Sequence, residues 1–252
     1  MKIPMVDLRL GREPASLDAF LRAPAVDPAA ERLAADVLAR IRSGGDAEVA
    51  RCMRDFNGVR IAPEGFRVTA AEIEASAGAV DRAFRRAVAD VLRRVRRFAK
   101  AGMRRDWEIR APRGGRLGER FLPLDRVGVY VPGGASPLAS TALMTVPLAA
   151  VAGVREIVAT TPCGRDGTVN PHILYALREA GATEILRLGG IQAIAALACG
   201  TATVRAVDKI VGPGGPFVTA AKRLVYGTVA LDMVAGPSEV AVLADGTARA
   251  TG

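Results

Sequence analysis

Four short apolar runs between residues 127 and 212 end in glycine or proline, and each is followed by a stretch with helical spacing. The runs are VGVYV (127–131), EIVATT (156–161, closed by Pro162), EILRL (184–188) and DKIVG (208–212). Helical stretches follow from about Pro137 to Val151, from Asn170 to Ala180, over 191–200, and from Phe217 to Tyr226. Strand and helix alternating at this interval predict a parallel sheet with helices on both faces. The runs are continuously apolar, as strands covered on both faces should be. VALDMVAG (229–236) and EVAVLA (239–244) look like two further strand pieces.

Residues from about 28 to 105 have another texture, helical throughout. Asp27 before Pro28 makes an N-cap and first-turn pair for a helix over 29–43, with Leu33, Val37, Leu38 and Ile41 on one face. Gly44-Gly45 should end it, and Asp46 should cap a second helix towards Phe56. Thr69 to Glu72 reads T-A-A-E, a capping box. From Asp81 to about Met103 runs a helix with Val88, Val91, Leu92, Val95 and Phe98 on its apolar side and arginine pairs on the other. Trp107 to Leu124, with Pro112, Gly114-Gly115, Gly118 and Pro123, reads as an extended linker or a hairpin.

The charge sits in one place. Between Arg85 and Arg120 there are 13 Lys and Arg against 4 Asp and Glu, which accounts for the whole net charge of +9. No nucleic-acid recognition motif accompanies it, and aromatics are only 4% of the chain, so a solvated or partner-facing helix is the better reading than nucleic-acid binding. No run of 18 apolar residues offers a membrane span, and Met1-Lys2-Ile3-Pro4 leads into no signal-peptide core. A cytoplasmic chain is expected. Cys52, Cys163 and Cys199 are widely spaced and predicted to be free, largely buried thiols.

Open parallel sheets bind ligands at the carboxyl ends of their strands. Three such ends here carry Y-V-P-G-G (130–134), L-G-G-I-Q (188–192) and V-G-P-G-G (211–215). Glycines let the backbone approach a phosphate or sugar, and the helices that follow aim N–H groups at an anion. One such turn is ordinary strand-to-helix chemistry. Three on one rim, with Tyr130 and Gln192 beside them, point to a nucleotide cleft, although neither G-x-G-x-x-G nor a P-loop occurs. His172, the single histidine, falls in the first turn of a helix, where a surface or capping role is expected. One histidine and three scattered cysteines do not make a zinc site. Ser238, in G-P-S-E, has no candidate base and reads as a substrate hydrogen-bonding residue.

D-R-V-G-V-Y-V-P-G-G (125–134), P-L-A-S-T-A-L-M (137–144), V-N-P-H-I-L (169–174) and G-G-I-Q-A-I-A-A-L-A-C-G-T (189–201) resemble the histidinol dehydrogenase family. So do V-D-K-I-V-G-P-G (207–214), V-T-A-A-K (218–222) and D-M-V-A-G-P-S-E-V (232–240). The likeness is strongest over about 120–245. It implies an α/β fold, an incomplete Rossmann-like parallel sheet preceded by a mainly helical N-terminal region. The implied parts are 1–120, belonging to a discontinuous domain, 121–237 for binding NAD, and 238–252 starting the return into the first domain.

The family oxidises L-histidinol to L-histidine in two steps with two NAD molecules and a bound zinc ion, as a homodimer. The resemblance implies that Tyr130, Pro132, Gln192 and Gly215 contact NAD and that Ser238 contacts substrate. Two positions depart from the family: Gly215 stands where asparagine is usual, and Cys199 where tyrosine is usual. The family's zinc ligands and Glu-His catalytic pair are expected beyond Gly252, so this chain is expected to hold no catalytic or metal residue and to be inactive alone, whether as a truncated gene model or a naturally shortened relative. The resemblance further implies apolar surface left exposed on the helical first half. The alternatives are a related zinc- and NAD-dependent dehydrogenase of another small polar alcohol, and a catalytically dead nucleotide-binding relative.

Overall fold

Asp27 caps the first helix, its Oδ1 accepting from Ala29 N at 2.8 Å, and Pro28 occupies the first turn where its missing N–H costs nothing. The structure is a computed structural model and describes residues 27–133, 137–234 and 247. Helix α1 (Pro28–Asn57) buries Ala30, Ala34, Val37, Leu38 and Ile41, then Val49, Cys52 and Met53. Gly45, at φ 56° and ψ −138°, kinks it, so two rods meet where the Gly-Gly pair predicts a helix end. Asp46 does not cap the second rod. Its carboxylate instead accepts from Thr203 N and Oγ1, both at 2.9 Å, and so ties the second rod to a distant part of the chain.

Helix α2 (Ala70–Gly78) has the full capping box: Thr69 Oγ1 accepts from Glu72 N, and Glu72 accepts from Thr69 N. Helix α3 (Arg82–Ala101) starts at Asp81, whose Oδ1 accepts from Phe84 N. It buries Val88 and Leu92, while Phe98 is 81% exposed. Phe98 lies about 80° round the helix from Val88 at 100° per residue, on the margin of the stripe rather than within it. The segment after α3 is a hairpin, β1 (Trp107–Arg110) antiparallel to β2 (Arg116–Glu119). Trp107, Ile109 and Leu117 are exposed on one of its faces.

The second half forms one parallel sheet. Its strands are β3 (Arg126–Tyr130), β4 (Glu156–Thr160), β5 (Glu184–Leu186), β6 (Lys209–Val211) and β7 (Ala230–Leu231), in spatial order β5-β4-β3-β6-β7. The helices between them are α4 (Ala139–Val151), α5 (Pro171–Ala180), α6 (Gly190–Cys199) and α7 (Pro216–Val225). Helix α4 begins two residues later than the sequence pattern indicates, because Leu138 N still bonds to Pro132 O in the preceding turn. The strand piece at 239–244 lies outside the described residues.

Side chains alternate across the sheet into two cores. Val127, Val129, Ile157, Ala159 and Ile185 face α2, α3, α4 and α5. Tyr130, Val158, Leu186, Ile210 and Leu231 face α1, α6 and α7. The N-terminal helix thus shares a core with the helices on one side of the sheet. The three cysteines are free, Cys52 buried and the others half-buried.

Candidate functional site

The strand order reverses between β3 and β6. From β3 the chain steps outward through β4 to β5, then crosses to β6 on the other side of β3 and continues to β7. At such a reversal the connections leave in opposite directions, opening a crevice at the carboxyl ends. The turn after β3 holds Val131, Pro132 and Gly133, and the turn after β6 holds Gly212 to Gly215. They are pressed together: a Cβ on Gly212 would lie 2.2 Å from the Tyr130 carbonyl oxygen, and Gly212 adopts φ 114°. Only glycine meets both demands. At the end of β4, Thr161 Oγ1 is fully buried with no hydrogen-bond partner, 2.8 Å from where a Cβ on Gly133 would sit. A buried hydroxyl left without a partner is an exception in a folded protein.

A cleft of about 440 Å³ opens next to this rim, lined by Leu33, Asp55, Phe56, Asn57, Gly190, Ile191, Gln192 and Phe217. Three elements meet in it: the carboxyl end of α1 and the first turns of α6 and α7. Gln192 is 1% exposed, and its Nε2 donates to Asn57 Oδ1 at 2.7 Å and lies 3.5 Å from Met53 Sδ. Tyr130 sits below, its ring in the core and its hydroxyl accepting from Gly190 N at 3.2 Å. Burial pushes the Tyr130 phenol up, with the Gly190 N–H pulling the other way, so the hydroxyl is neutral at ordinary pH.

Gly215 is the N-cap of α7, exposed, at φ −69° and ψ −177°, two residues before Phe217 at the cleft. Pro132 is half-buried in the β3 turn, its carbonyl accepting from Leu138 N at 3.2 Å, and it does not line the cleft. Ser238 lies outside the described residues. The structure therefore brings Gln192, the Tyr130 hydroxyl and the Gly215 turn to one place, with Pro132 on the neighbouring turn. His172 is remote, packed edge-on against Phe84 with ring centroids 4.7 Å apart, and Asn170 rather than His172 caps α5. Burial pushes the Cys52 and Cys163 thiols up, which keeps both protonated and unreactive.

Sequence reasoning passed over Asn57, Phe217, Lys222 and Asp232. Asn57 stands just before Gly58, which ends α1 in the left-handed conformation, so a polar residue at a helix exit was the available signal. Lys222 interrupts the buried stripe of α7, between Val218 and Val225, and is itself 5% exposed. A lysine on an apolar stripe needs a partner, and that partner is Asp232. Among the described residues no three His, Cys, Asp or Glu side chains group closely enough to hold a metal ion. No helix among them is long and apolar enough to cross a membrane.

A family model described as histidinol dehydrogenase matches residues 22–252. The chain is 45% identical over 214 residues to the histidinol dehydrogenase of Symbiobacterium thermophilum, covering 85% of this chain and 49% of that protein. It is 43% identical over 228 residues to that of Chlorobaculum tepidum, covering 90% of this chain and 53% of the relative. The crystal structure of histidinol dehydrogenase from Elizabethkingia anophelis superposes with a TM-score of 0.80 at 32% identity, over 90% of this chain and 52% of that one. The chain thus spans about half the length of the curated relatives it matches.

Proposed function

The chain belongs to the histidinol dehydrogenase family, and from that premise we propose that it supplies the NAD-binding half of an enzyme that oxidises L-histidinol to L-histidine. The observation that carries the reading is the family match over the whole described chain, together with a cleft where the end of α1 meets the first turns of α6 and α7. In this reading Tyr130, Pro132, Gln192 and Gly215 belong to the cofactor side and Ser238 to the substrate side. Action in the cytoplasm as a homodimer, with zinc, belongs to the same reading and rests on the family resemblance.

The residues present suit a dinucleotide. Gly190 and the Gln192 amide bring polar groups to the cleft, which offers apolar walls in Leu33, Ile191 and Phe217. Bound NAD supplies a hydride acceptor for the alcohol carbon. The chain's own part is binding and orientation. Asn57 fixes the Gln192 amide, and Tyr130 holds the first turn of α6 through Gly190 N–H. The described residues offer zinc no set of ligands.

Titrating NAD into the protein and into Tyr130→Phe tests the reading. The ring fills the core, so truncation to alanine would mix packing loss with site loss, whereas phenylalanine removes only the hydroxyl. Saturable NAD binding by the parent is expected, weakened by about 1 kcal/mol in the variant, the usual value of one hydrogen bond. A parent that does not bind NAD refutes the proposal.

A further inference from the structure

Lys222 and Asp232 form an ion pair, the lysine buried and the aspartate exposed, that the cleft described above does not include. The Lys222 side chain is 7% exposed and that of Asp232 33%, and the two are joined as an ion pair. Both hold the same residue, Gly212, through the two peptide groups that flank it. Lys222 Nζ donates to the Gly212 carbonyl at 2.9 Å, and Gly212 N donates to Asp232 Oδ2 at 2.8 Å. Asp232 also accepts from Met233 N at 2.8 Å through Oδ1. On its remaining side Gly212 abuts the Tyr130 carbonyl.

Burying the ammonium of such a pair is a poor way to gain stability, since a well-packed apolar residue of similar size commonly does as well or better. What this pair fixes is geometry. Gly212 sits at φ 114°, and the residues after it, Pro213 to Gly215, form the turn that starts α7 and brings Phe217 to the cleft. Asp232 also opens the D-M-V-A-G-P-S-E segment leading to Ser238. We propose that Lys222 and Asp232 are positioning residues for the cofactor cleft, clamping Gly212 from both sides so that the turn after β6 and the first turn of α7 keep their place. The inference rests on reading the cleft as the NAD site.

The test compares NAD affinity per folded molecule, well below the melting temperature, in the parent, Lys222→Met, Asp232→Asn and the double variant. The double variant leaves no unpaired buried charge and so keeps the fold measurable where a single variant does not. A loss of tenfold or more is expected in the double variant, and no greater than in the worse single variant, because the two residues act as one unit. Glu72→Gln, which breaks the ion pair between Glu72 of α2 and Arg187 after β5, neither of which lines the cleft, supplies a control: its melting temperature should fall with NAD affinity unchanged. Parent-like affinity in the double variant overturns the inference, as does an affinity loss that the control shows equally. A parent without NAD binding overturns the reading of the cleft and the inference together, and is recognised by failing before any variant is compared.

Discussion

The two ends of the sheet are built from different materials. At the amino end Arg126 reaches across β3, β4 and β5, pairing with Glu156 and with Glu184 at 2.7 Å. Arg205 joins Glu156, Arg67 joins Glu184, and Asp208 accepts from Arg126 N. At the carboxyl end there is little side-chain charge. Glycines and backbone carbonyls make much of the rim, Arg187 after β5 reaches Glu72 on α2, and Lys222 with Asp232 holds Gly212 rather than another strand. Charge closes one end against water, and bare backbone leaves the other open to a ligand. Stability and ligand affinity should therefore separate when the two ends are altered.

Arg126→Met should produce the largest effect and break the comparison most directly. The Arg126 side chain is 8% exposed and Glu184 9%, so the substitution removes the buried guanidinium, leaves Glu184 only the exposed Arg67 as a partner, and costs about 3 kcal/mol of stability. Urea denaturation would register the loss. NAD affinity of the folded variant should stay within about twofold of the parent, a tolerance below the value of one hydrogen bond. Affinity falling in step with stability would show that the ends are not independent.

Acid should separate the two ends less sharply. The Arg187 guanidinium, with help from Thr69 and against a smaller desolvation effect, lowers the Glu72 carboxyl from 4.5 to about 2. A folded-state value below the unfolded one means the pair stabilises fully above about pH 4.5, and that stability disappears as pH falls towards 2. The carboxylate is 37% exposed, so with solvent screening the contribution is about 1–2 kcal/mol. Melting temperatures measured from pH 6 to about pH 2.5 should fall more steeply for the parent than for Glu72→Gln, the two curves converging at the acid end. Parallel curves would mean that Glu72 does not carry the acid response.

The parallel sheet, its five described strands and the rim that carries the cleft were legible because they depend on local periodicity and on glycine punctuation. So was the break at Gly44-Gly45, where Gly45 at a non-helical φ of 56° separates two helical rods. A glycine pair predicts a helix end, but whether the chain stops or bends is decided by what α1 packs against, here α6 and α7. Asp46 was misassigned for the same reason, since its partner Thr203 lies 157 residues away. Tyr130 and Gln192 stand out as candidates from their turns, but Asn57, which bonds to Gln192, comes from the other end of the chain and is joined only by the fold. Lys222 carried a readable signal, a charge within an apolar stripe, and only its partner needed the structure.

The smallest effect concerns Gly215, where the family usually has asparagine, and it probes whether the carboxyl end is tuned for a ligand or only for turn geometry. Gly215 caps α7 at φ −69°, in extended backbone that any residue adopts, and a Cβ there meets nothing within 4 Å. The substitution Gly215→Asn therefore carries neither strain nor a clash. Asparagine is also a better N-cap than glycine by a few tenths of a kcal/mol, because its side-chain oxygen accepts from an otherwise unpaired N–H of the first turn. Pro216 removes one such donor, leaving those of the next residues, Phe217 and Val218, for the cap. An exposed amide beside Phe217 can instead reach a cofactor oxygen, an interaction worth roughly 0.5–1.5 kcal/mol. The two uses compete for one side chain, and that competition makes the variant informative. NAD titration and thermal melting of Gly215→Asn should show tighter binding, by about 0.5–1.5 kcal/mol, with a stability gain of a few tenths at most. Stability rising while affinity stays unchanged would mean that the amide turns to the helix, and that this rim receives its ligand through backbone alone.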